Sequence, residues 1–170
     1  MIFGMTLGTF TALHVLISLI AIGSGLIVMF GLLSGRRLDV WTGLFLATTV
    51  LTSVTGFGFP FQHLLPSHIL GILSLVILAL AIPARYVFDL TGSWRWIYVV
   101  GAGMALYFNV FVLVVQAFEK VPGLKALAPT QKEPPFLIAQ LVVLLIFVAL
   151  IILATKRFHV EPEALRARAA

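Results

Sequence analysis

Residues 10–33, "FTALHVLISLIAIGSGLIVMFGLL", run for 24 positions without one Asp, Glu, Lys or Arg. A helix of that length rises roughly 36 Å, enough to cross a hydrocarbon core of about 30 Å. No Lys or Arg precedes the run, and it is too long for the apolar stretch of a secretion signal, so it reads as a retained transmembrane helix. In lipid a helix satisfies its own backbone, which is why such a run decides the fold class.

The rest of the chain repeats the pattern. Of its 170 residues 61% are hydrophobic, against roughly 45–50% in soluble domains, and only 10% are charged. The charges sit in short clusters between apolar runs. The sequence predicts an all-α integral membrane bundle of five transmembrane helices near 9–33, 40–59, 67–84, 94–118 and 136–155. Residues 1–155 form a single transmembrane domain, and 156–170 form a polar cytoplasmic tail. The net charge of +5 flanks apolar segments, so it is assigned to membrane topology and not to nucleic acid. Cysteine is absent, which excludes disulfides, iron–sulfur clusters and Cys-ligated zinc.

Breaker chemistry marks the joints. "SGRRLD" provides a glycine turn and Asp39 as a helix N-cap; Pro66 suits a first helical turn; Ser93 is a cap candidate after Gly92. Trp94, Trp96 and Tyr98 are expected as headgroup anchors. Thr130 and Glu133 have capping-box spacing, and "VPGLKALA" reads as either a short surface helix or a loop.

Lys and Arg counting orients the bundle. If the spans alternate, all seven arginines fall on one side and only Lys120, Lys125 and Lys132 on the other. The positive-inside rule then puts the N-terminus outside and the C-terminus in the cytoplasm.

No charge lies in the middle of a span, which argues against an ion channel or pump. The polar residues are neutral and gather toward the outer leaflet: His14 and Ser18; Thr48, Thr49, Thr52, Ser53 and Thr55; His68 and Ser74; Tyr107, Asn109 and Gln116; and Gln140. The inner halves read as nearly pure Leu, Ile, Val, Ala and Phe. His14, Ser18, Ala21 and Gly25 form one stripe at helical spacing and Ala102, Ala105 and Asn109 another, both suited to close helix packing. The hydroxyls of the second span can bond to carbonyls one turn back.

Two of the four histidines, His63 and His68, lie five apart with Pro66 between them, which is no zinc motif. His63 reads as a wet loop residue and His159 as surface. His14 with His68 is the sharper pair: were the first and third spans neighbours, the two imidazoles could ligate a haem b iron. A quinone held by one histidine with Asn109, Gln116 or Tyr107 is the other cofactor expectation. His14, His68, Asn109 and Gln116 are therefore the candidate cofactor residues, with His14 and His68 as metal ligands only for haem. Nothing nominates a catalytic residue.

The stretches "VPGLKALAPTQKEPPFLIAQ", "FLATTVLTSVTGFGFPF" and "LPSHILGILSL" resemble a group of small bacterial multi-pass membrane proteins to which no activity is assigned. The resemblance implies a bacterial inner-membrane location and carries over no cofactor or site residue. Three functions stay open: a non-catalytic accessory or assembly subunit meeting lipid and other membrane subunits, a redox protein binding haem b or a quinone, and a transporter of a neutral or lipophilic solute.

Overall fold

The computed structural model describes residues 4–59 and 66–159, so His63 and the tail from 160 lie outside the described residues. The chain folds as α1 (Leu7–Leu33), α2 (Asp39–Gly56), α3 (Pro66–Tyr86), α4 (Ser93–Lys120), α5 (Pro122–Leu127) and α6 (Pro134–Arg157), with no strand among the described residues. Four of these, α1, α3, α4 and α6, are long and apolar enough to cross a membrane. The fifth expected span, α2, is 18 residues long and diluted by its threonines and serine.

α4 is the central post. It packs against α1, α3, α5 and α6 and touches α2, while α1 packs on α2 and α3 closes onto α2 and α4. Backbones come close where side chains are small. A Cβ placed on Gly103 would lie 2.4 Å from Ile151 of α6, and one on Gly101 would lie 3.0 Å from Ala81 of α3. Ala21, Ala102 and Ala105 are enclosed, so the alanine portions of the two small-residue stripes are packing seams. The core between them is built on Phe45, Leu78, Leu106 and Val99.

The caps differ from expectation in instructive ways. After α1, Gly35 takes φ +68, its N–H reaches Leu32 O, and the Arg36 N–H reaches Gly31 O at 2.8 Å, a Schellman end that only a residue free of Cβ enters cheaply. Leu38, not Asp39, is the N-cap of α2. Asp39 is instead the first helical residue and pairs with Arg85 and Arg37, because a buried guanidinium attracts the carboxylate more strongly than an end N–H does. Gly92, at φ +51, caps α4 and Ser93 is already helical. "VPGLKALA" contains the helix α5. Glu133 is the N-cap of α6, and its carboxylate reaches back to the N–H and hydroxyl of Thr130, so the capping-box pair meets but the helix waits for Pro134.

Two further expectations are corrected at the end of the bundle that holds the arginines. Tyr98 is no headgroup anchor: it is 1% exposed and shares a hydrogen bond with Thr42 at 3.3 Å. α3 runs past Pro83 to Tyr86, so Arg85 lies within the helix, enclosed and held by Asp39. This half of the bundle is therefore not purely apolar. Arg95 donates to the carbonyls of Thr155 and Phe158 at the end of α6, closing orphan acceptors there.

Candidate functional site

At the opposite end, where α1 and α3 begin and α2 and α4 finish, the four helices splay around a cavity of about 660 Å³. Ligand cavities run from roughly 300 to 1,000 Å³. His14, His68, Asn109 and Gln116, the four residues expected to bind a cofactor, all line it. So do Ser18, Thr52, Ser53 and Ser74, while Glu119 and Lys120 stand at the end of α4 on its rim. α1 and α3 share no packed face; their histidines look into a common space and not at a helix contact.

Each side chain is held by local chemistry. The Thr55 hydroxyl donates to Leu51 O at 2.7 Å, so its oxygen accepts from His14 Nδ1–H at 2.8 Å. That fixes the imidazole as the Nδ1–H tautomer and leaves Nε2 as an acceptor with no hydrogen bond among the described residues. Phe59 stands edge-on to the His14 ring with centroids 5.1 Å apart. His68 is buried, with Phe57 beside its ring at 5.7 Å. Asn109 Nδ2 donates to Thr49 Oγ1 at 3.3 Å, tying α4 to α2 at the floor. Below this tie Gly25 admits Phe45 and Leu106 so closely that a Cβ would sit 2.6 Å from the leucine, and the cavity ends.

Most hydroxyls on the wall are satisfied by their own helix. Ser18 donates to His14 O, Thr11 to Leu7 O and Ser53 to Thr49 O. The same back-bonding holds for Thr48 and Thr55, as the sequence led one to expect. Thr52 Oγ1 and Ser74 Oγ are exceptions: both are enclosed, and neither has a hydrogen-bond partner among the described residues. Spacing alone does not reveal this, since Thr48, Thr52 and Thr55 look alike in sequence and only the helix neighbours separate them.

Two residues expected in the outer polar group belong elsewhere. Tyr107 does not line the cavity; its ring lies 5.7 Å from Phe147 of α6. Gln140 bridges α6 to α4, donating to Phe111 O at 3.2 Å. Gln116 reaches Glu119 at 3.3 Å on the rim. His159 is exposed, as expected. Among the described residues no group of three or more His, Asp or Glu is placed to hold a metal ion.

No protein family, curated protein or solved structure matches this chain. The site therefore has to be understood from its own chemistry.

Proposed function

We propose that this chain is a multi-pass inner-membrane protein that binds a neutral, lipophilic small molecule in an outward-facing cavity. One observation carries the reading: beside the cross-helix bonds His14–Thr55 and Asn109–Thr49, the polar residues of four helices line a space of about 660 Å³ at one end of the bundle. Packing accounts for those two bonds but not for the hydroxyls of Thr52 and Ser74, which meet no partner among the described residues at a cost of about 1–3 kcal/mol each.

The membrane assignment in this proposal counts α2 as the fifth span. Its 18 residues rise roughly 27 Å, and the hydroxyls of Thr48, Ser53 and Thr55 donate to its own carbonyls, lowering the cost of its polar composition. The arginine side then faces the cytoplasm and the cavity the outside. Transport across the bundle is not favoured, because Phe45, Leu78 and Leu106, each 1% exposed, close the space below Asn109.

Native mass spectrometry of the chain released from mild detergent tests the binding. An added mass that exchanges with lipid-soluble compounds, and is lost when Val112 on the cavity wall is replaced by Trp, is the expected result; an unliganded chain that also takes up no added lipophile overturns it. A C-terminal reporter active outside the membrane would overturn the orientation.

A second reading, an accessory subunit, rests on α6. Only 17% of its membrane-length window is buried, so a broad apolar face including Leu141, Leu145 and Val148 is open to lipid or to another helix. Cross-linking in membranes between copies or to a second subunit through this face would support it.

A further inference from the structure

The cavity wall specifies a head group, on the footing that the cavity is a ligand site as proposed above. Ser74 is 3% exposed, and its Oγ is enclosed and without a hydrogen-bond partner among the described residues. Thr52 Oγ1, on α2 across the α2–α3 seam, is in the same state. Their neighbours Ser18, Ser53 and Thr11 all spend their protons on carbonyls of their own helices. The rest of the Thr52 and Ser74 side chains lines the cavity, so a turn about Cα–Cβ presents each hydroxyl to a ligand there, and a buried hydroxyl is stabilised by such a bond.

The remaining wall narrows the chemistry. Among the described residues no charged side chain lies on it below Glu119 and Lys120 at the rim, which suits a neutral head. Hydroxyls both donate and accept, and His14 Nε2 accepts, so the site suits a head that presents carbonyl oxygens in one state and hydroxyls in another. Phe57, Phe59 and Phe108 supply flat surface. Exposed Leu7, Val15, Leu19 and Leu113 at the edge of the cavity give an aliphatic tail a way into lipid. Haem fits less well. Its two propionates call for cations, and the rim offers only Lys120, beside Glu119, while the five arginines of the described residues all belong to the other end of the helices.

We infer that the cavity takes an alkylated benzoquinone or naphthoquinone, or its quinol, with ring oxygens on the hydroxyls of Thr52 and Ser74. The ligand is neutral in both states, which matches the uncharged wall.

The test uses the full chain in lipid nanodiscs with two probes, a benzoquinone bearing a decyl tail and decylbenzene, read by thermal unfolding and by mass spectrometry of the intact complex. The quinone is expected to bind saturably, and decylbenzene weakly. Ser74→Ala and Thr52→Val are each expected to weaken quinone binding roughly three- to tenfold, the worth of one neutral hydrogen bond. Their unliganded Tm should be unchanged or higher, because each substitution removes an unpaired polar atom. That combination separates a binding role from a folding role. Equal binding of both probes, indifferent to the two substitutions, overturns the quinone head while leaving a lipophile cavity in place. Failure of both probes to bind overturns the cavity reading together with it.

Discussion

Gly25 and Gly23 sit two residues apart in α1, and replacing each by alanine measures how tightly the floor beneath the cavity is built. A Cβ on Gly25 would lie 2.6 Å from Leu106 Cδ1 and 2.8 Å from two ring carbons of Phe45. Ordinary carbon contacts run at about 3.5–4.0 Å, so the shortfall is roughly 1 Å on two sides. Phe45 and Leu106 are each 1% exposed and have nowhere to swing, so α1 has to back away from α2 and α4. Overpacking of this kind costs about 1–3 kcal/mol. A Cβ on Gly23 meets nothing within 4 Å. Both substitutions gain the same helix propensity, up to about 1 kcal/mol, so it cancels in the comparison. The expected outcome is that Gly25→Ala is less stable than Gly23→Ala by about 1–3 kcal/mol, measured by titration from mild detergent into denaturing detergent with helicity as the signal. Equal stability, or a more stable Gly25→Ala, would refute the packed floor and with it the claim that the cavity is closed below.

The arginine end offers two further checks and the opposite end a third. Asp39→Ala leaves the Arg85 guanidinium enclosed without its carboxylate; because Asp39 is itself 68% exposed, the loss should be nearer about 2 kcal/mol than the full cost of breaking a buried pair, and an unchanged unfolding curve would sink this account of the α2–α3 joint. Tyr98→Phe removes the bond to Thr42 and should cost about 1 kcal/mol, with Thr42→Val adding little on top, as a double-mutant cycle will show. At the other end, slight desolvation raises the Glu133 carboxyl, but hydrogen bonds from the Thr130 hydroxyl and from the N–H groups of Glu133, Thr130 and Lys132 lower it by more, leaving it below the ordinary 4.5. A depressed carboxyl stabilises the folded state above the unfolded value and loses that contribution as pH falls through the folded one. Protection of the amides of residues 130–133, taken as exchange relative to an unstructured chain at the same pH, should therefore fall as pH drops below 4.5, and Glu133→Gln should remove that change in protection; protection that ignores both would contradict the cap.

The helical class and the positions of the long helices were legible because apolar runs and breaker residues are local signals. Residues 10–33 and 136–155 needed nothing more. Side-chain capping was less legible. Asp39 has the chemistry of an N-cap, yet Arg85, 46 positions away, claims it, and Tyr98 looks like an interface aromatic until Thr42 is found against it. The site was legible as a list and not as a place. His14, His68, Asn109 and Gln116 do share one cavity, whereas Tyr107 faces Phe147 and Gln140 joins α6 to α4. Thr52 stayed hidden among look-alike threonines: whether a hydroxyl bonds to its own helix or is left enclosed without a partner depends on the neighbouring helix, which periodicity does not encode.

The central claim is that the cavity is reached from outside and closed within. The chain has no cysteine, so every introduced thiol is the only one present. Thr11→Cys and Ser18→Cys, both on the cavity wall, treated in intact cells with a small, charged, membrane-impermeant thiosulfonate, should both be modified, and Leu78→Cys in the packed core should not. A Ser18→Cys thiol that is inert from outside, or a Leu78→Cys thiol modified as fast as it, would contradict the account.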